Sequence, residues 1–182
     1  MPLESIRRMV LICLMTALIA LGAQMAVPIG PVPVVLTNLF VLLAGLLLGP
    51  RQGTAAVGLY VFLGAVGLPV FANFKAGLAH LAGPTGGYLV GFVAAAWIVG
   101  LLTHGRSKRA ADIVAVFLGS LVVYALGVPW LKVVTGMSWS KAVSVGLLPF
   151  VFGDAVKAAA AVVLAWSLRP ALVRHVRPAA SA

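Results

Sequence analysis

Long apolar runs recur along this chain with little between them. One reads LICLMTALIALGA (Leu11–Ala23), another LFVLLAGLLLG (Leu39–Gly49), a third GFVAAAWIVGLL (Gly91–Leu102). With 63% hydrophobic and 9% charged residues, the chain cannot cover a water-facing surface with polar groups. Its solvent is a bilayer. In hydrocarbon every backbone N–H and C=O must find a partner inside the protein, which leaves helices or closed barrels. The runs approach the roughly 20 residues a helix needs to cross the hydrocarbon core, so they predict helices.

The breaks between runs predict six transmembrane helices in an all-α integral membrane protein, one membrane domain over 1–182. The expected spans are about 9–27, 34–49, 53–71, 87–102, 113–128 and 147–168, followed by a basic tail at 169–182. The first span is too long for the apolar core of a signal peptide, and it is read as retained. Between Pro129 and Ala142 there is room for an interfacial helix, and Gly127-Val128-Pro129 reads as a helix stop. Gly45/Gly49 and Gly87/Gly91 are small-residue stripes that suit close helix packing.

A net charge of +10 invites a nucleic-acid reading, but the basic residues cluster at helix ends instead of along one face. With the amino terminus inside, Arg7, Arg8, Arg51, Arg106, Lys108, Arg109, Arg169, Arg174 and Arg177 face the cytoplasm. Only Lys75, Lys132 and Lys141 lie in outer loops. Nine against three is a positive-inside bias, and it places both termini in the cytoplasm.

Three acids exist, Glu4, Asp112 and Asp154, and only Asp154 is expected within the membrane, with Lys157 one turn on. Each charge at a helix centre costs about 2.5–3.5 kcal/mol on insertion scales, and such residues are functional candidates. The pair is either a self-satisfied structural ion pair or one wall of a site for a small polar ligand. One intramembrane carboxylate excludes an aspartyl-protease dyad, and too few ligands converge for a metal. No P-loop string is present, so the chain does not itself hydrolyse ATP. The Gly-rich outer segment Phe71–Gly86 reads as a lid over the site.

LFVLLAGLLLGPRQG (Leu39–Gly53), GLPVFA (Gly67–Ala72), GPTGGYLVGF (Gly83–Phe92) and GDAVK (Gly153–Lys157), in that order, resemble the BioY family. These are the biotin-specific substrate-binding (S) components of energy-coupling-factor (ECF) transporters. The resemblance implies an S-component fold in a bacterial or archaeal cytoplasmic membrane. It implies high-affinity biotin binding near the outer face, with no cofactor and no catalysis by this chain. Its implied partners are a transmembrane coupling protein and a pair of ABC ATPases, while the sequence leaves open whether copies of the chain form a homo-oligomer. Carried over, the family's biotin contacts fall on Asp154, Lys157, Gly83, Thr85, Gly86 and Tyr88. Asn73 and Lys75 are further candidates, and Phe71, Phe74 and Trp130 are candidate apolar walls. The family often has Thr and Gln where this chain has Val35 and Thr37; Thr37 and Asn38 are the polar residues available there. The coupling-protein docking motif, two small residues four apart, falls on Thr16 and Ala20. The rival reading is a small secondary transporter or channel for another solute, with Asp154 as its ion site.

Overall fold

The computed structural model describes residues 3–27, 31–105 and 109–176. Arg106, Lys108 and Arg177, used in the topology reading, lie outside the described residues. The long helices are α1 (Leu3–Gln24), α2 (Thr37–Ala65), α4 (Gly86–Thr103), α5 (Arg109–Thr135) and α7 (Leu148–Val176). Two short ones, α3 (Leu78–Ala82) and α6 (Trp139–Gly146), lie between them. A two-residue antiparallel pairing, Ala26–Val27 (β1) with Val34–Val35 (β2), closes the α1–α2 connection. Among the described residues, five helical stretches are long and apolar enough to cross a membrane, one of them joining α6 to α7.

α2 is not straight. Gly49 leaves the helical region at φ 76°, a left-handed value that suits glycine, and Pro50 follows without an N–H to continue the ladder. The chain doubles back there: a Cβ on Gly53 would lie 2.6 Å from the carbonyl oxygen of Ala44. Tyr60 on the returning arm accordingly comes beside Thr37 on the leading one. Residues 37–48 and 50–65 thus form a helical hairpin. Residues 66–71, read from sequence as helix, lie beyond its end.

Pro129 is a second departure from the sequence reading, because α5 runs through it to Thr135. Gly127, with no side chain, lets the Tyr88 ring pack against the α5 backbone just before Pro129. Much of the stretch from Pro129 to Ala142, read as room for an interfacial helix, is the end of α5, and the short helix α6 begins only at Trp139. The small-residue stripes bring backbones together. A Cβ on Gly45 would meet Ala96 O at 2.8 Å, and one on Gly91 would meet Val123 Cα at 3.0 Å. The core accordingly centres on α2 and α4, with Val41, Leu42, Ala56, Val57, Ala95 and Val99 almost fully buried.

One end of the bundle gathers the hairpin bend, the carboxyl end of α4 and the amino end of α5. Arg169 of α7 joins them by donating to Leu46 O at 3.1 Å. Its guanidinium also forks onto Asp112, at 2.6 and 2.8 Å, and Trp166 Nε1 donates to the same carboxylate at 2.8 Å. Sequence placed Asp112 in a basic loop, but it lies in the first turn of α5 and is buried. A carboxylate near a helix amino terminus also meets a favourable helix dipole. The opposite end carries the loop between α2 and α4, with Trp130 of α5 donating to Gly83 O.

Asp112→Asn should lower stability by about 3 kcal/mol, the low end for breaking a buried pair, since Arg169 keeps some contact with solvent. In a chain of this size that corresponds to a fall of about 6–12 °C in melting temperature, readable by thermal unfolding in detergent. An unchanged melting temperature would show that the network contributes nothing net.

Candidate ligand-binding site

A cavity opens beneath the loop-bearing end of the bundle, lined by α2, α4, α5 and α7 and by the segments around Pro33 and Phe71. Each wall follows from local sequence. α7 begins at Leu148 with Pro149 in its first turn, where the missing N–H costs nothing. Asp154 and Lys157 follow three residues apart, so their side chains share a face. Both are buried, and Lys157 Nζ donates to Asp154 Oδ1 at 2.8 Å. The other oxygen, Oδ2, accepts the Tyr124 hydroxyl of α5 at 2.5 Å. Asp154 is thereby held from two helices, and among the described residues two of the three ammonium N–H groups of Lys157 have no partner.

The roof is Phe71, fully buried, with Tyr60 edge-on at 5.5 Å and His80 tilted over it at 5.1 Å. His80 faces Thr85 across 3.2 Å, between Nε2 and the hydroxyl. Burial holds His80 below the usual imidazole range, helped by the charge of Lys75. The neutral ring then has one donor and one acceptor nitrogen, and the Thr85 hydroxyl can pair with either. Gln24 of α1 ties down the roof: its amide donates to Val70 O and Phe71 O and accepts from Phe74 N at 3.0 Å. Gly77 N also donates to Gly64 O at 2.7 Å. The segment over the cavity is thus held by specific bonds to α1 and α2.

Of the residues singled out from sequence, Asp154, Lys157, Thr37, Asn38, Thr85, Tyr88 and Phe71 meet around this cavity. Tyr88 contributes its ring while its hydroxyl donates to Gly146 O at 2.7 Å. Gly83 and Gly86 stand behind the wall as the turn entering α4, with Gly86 N bonded to Gly83 O. Asn73, Phe74 and Lys75 do not reach the cavity. Asn73 and Phe74 both take φ 57°, and this turn points all three side chains outward to exposed positions. Trp130 packs against Gly86 and Gly87 outside the lining. Residues that sequence reasoning missed are Tyr60, His80, Phe92, Tyr124 and Phe150. Tyr124 and Phe150 carried a signal, since each falls on the same helical stretch as a residue already suspected or faces one.

Thr16 is read from the resemblance as a docking residue. It is buried, and its hydroxyl donates to Ile12 O and Ala56 O, both at 2.9 Å, so it packs α1 on α2. Ala20 is half-buried against the same core. The face of α1 turned away from the bundle instead carries Cys13, Leu14, Ala17 and Leu21.

Known proteins share this fold and sequence. The BioY family matches residues 1–174. A probable biotin transporter BioY of Pyrococcus horikoshii is 46% identical over 159 residues, 87% of this chain and 94% of that protein. The biotin transporter BioY of Thermotoga maritima is 44% identical over 163 residues, covering 90% of this chain and 96% of the relative. In three dimensions the chain superposes with TM-score 0.86 on a crystal structure of the S-component for biotin from an ECF-type ABC transporter. That match has 30% identity and covers 93% of this chain and 94% of the other. The chain belongs to the BioY family.

Proposed function

We propose that this chain binds biotin in the cavity beneath Phe71 and mediates biotin uptake as the substrate-specific subunit of an ECF-type transporter. The observation that carries the reading is the site's composition. An aromatic and aliphatic chamber holds one buried acid and one buried base with spare hydrogen-bonding capacity. Biotin matches both parts. Its thiophane ring and valerate methylenes suit the apolar walls. Its ureido N–H groups suit Asp154, and an anionic or carbonyl oxygen suits Lys157. The alternative, Asp154 as a cation site, is disfavoured because the Lys157 ammonium already occupies that position at 2.8 Å.

Counting the two arms of α2 separately gives six crossings. The amino end of α1 and the carboxyl end of α7 then fall at the end holding Arg51, Arg109 and Arg169, which we assign to the cytoplasm. The cavity faces the other way, toward the supply of substrate. The lid over it, held by Gln24, excludes water and so strengthens the charged contacts beneath. Energy for transport comes from partners, the coupling protein and its ATPases. The surface offered to the coupling protein is the outer face of α1, whose span is only 28% buried. Asn73 keeps a role in ligand capture only if the turn that carries it rearranges.

Asp154→Asn and Lys157→Ala should each weaken biotin binding at least tenfold, about 1.4 kcal/mol, while the protein still inserts. Titration calorimetry on the purified variants measures this, and curves matching the parent would return the pair to a purely structural role. Ala17→Trp should leave biotin affinity within about twofold but prevent copurification with the coupling protein, because a close helix approach needs small side chains. An undiminished complex would move the docking surface off this face of α1.

A further inference from the structure

Most polar side chains around the cavity already have a partner. Tyr124 and Lys157 bond Asp154, His80 meets Thr85, and Tyr88 reaches Gly146. Asn38 stands apart. It lines the cavity from the first turn of α2 and is 3% exposed, and neither its amide nitrogen nor its amide oxygen has a hydrogen-bond partner. Beside it the buried Thr37 hydroxyl also has no hydrogen-bond partner among the described residues, although Tyr60 lies close by. A buried carboxamide with both ends unmatched is costly in an apolar bundle, where neither lipid nor neighbouring side chains replace lost water. Asn at the start of a helix commonly caps it, but here the cap position is Leu36 and the Asn38 side chain bonds no backbone group. The unmatched amide therefore has no structural task among the described residues.

We infer that Asn38 is a specificity-determining residue that reads the carbonyl and one adjacent N–H of a cyclic urea. The inference rests on the biotin reading and deepens it. A carboxamide presents a donor and an acceptor side by side, and so does one edge of a urea ring. The two pair through two hydrogen bonds: Asn38 Nδ2–H donates to the urea oxygen, and Asn38 Oδ1 accepts the neighbouring N–H. The second urea N–H is left for another acceptor of the cavity. A site built this way discriminates strongly, since a ligand lacking the matching group leaves the amide buried and unpaired.

The test uses the full-length chain purified in detergent, biotin, and 2-iminobiotin, in which an imino nitrogen that is protonated at neutral pH replaces the urea oxygen. The parent should prefer biotin. Asn38→Asp offers only acceptors, so it should weaken biotin at least tenfold and shift the biotin to 2-iminobiotin affinity ratio at least tenfold toward the imino analogue. Asn38→Leu should lower biotin affinity at least tenfold, yet raise the melting temperature of the ligand-free protein, because an unmatched polar group is replaced by an apolar one. An unchanged ligand ratio in Asn38→Asp would overturn the assignment. So would unaltered biotin affinity, or loss of folding, in Asn38→Leu, since a structural amide would lower stability on removal. A parent protein that binds neither ligand would instead contradict the biotin reading, and the role of Asn38 with it.

Discussion

The carboxylate of Asp154 accepts from Lys157 with one oxygen and from Tyr124 with the other, and both donors stand in apolar surroundings. Much of the molecule follows from keeping that cluster partnered. Hydrocarbon offers no hydrogen bonds, so every polar group inside must be answered by the protein or by a ligand. The segment between α2 and α4 supplies Phe71 and His80 above the cluster, and Gln24 fixes that segment to α1. The α2 hairpin brings Tyr60 beside Thr37 and Asn38, which puts both of its arms on the same chamber. Tight α2–α4 and α4–α5 contacts at glycine then hold these walls at fixed separation.

The two polar networks divide the work between the ends of the bundle. At the basic end, Asp112, Arg169 and Trp166 tie α5 to α7 and reach α2 through Leu46 O. At the other, Tyr124 ties α5 to Asp154 of α7. Between them α5 and α7 are separated by an apolar groove reaching from Ile113 and Trp166 to Leu147 and Val151. The first network uses all of its carboxylate on fixed partners and is structural. The second leaves ammonium hydrogens and a neighbouring amide without partners, which suits an occupant that comes and goes.

Membrane class and helical architecture were legible in the sequence because apolar length is a direct consequence of bilayer thickness. Asp154 and Lys157 were legible for the same reason: charges stand out where everything else is apolar. Family membership was legible in four short strings, collinear along the chain. Other features were hidden by neighbours or by geometry. Asp112 follows a basic run and reads as loop, although it is buried. Pro129 reads as a stop, yet α5 continues through it. The spacing of Thr16 and Ala20 is real, but spacing alone does not say which side of α1 faces the bundle. Asn73 lies close to the roof in sequence, while two left-handed residues turn its side chain away. Asn38 stands out in sequence only as a polar residue, with Thr37, where the family often has Thr and Gln; its unmatched burial is what makes it conspicuous in the structure.

The central claim is that this single chain, apart from its partners, holds one biotin in the chamber under Phe71. Native mass spectrometry of the protein released from detergent, after exposure to biotin and removal of excess ligand, tests it most directly. The account predicts one retained mass equal to biotin per chain, lost from the Asp154→Asn, Lys157→Ala double variant. A parent chain that retains no biotin, or a double variant that retains it equally, would contradict the account.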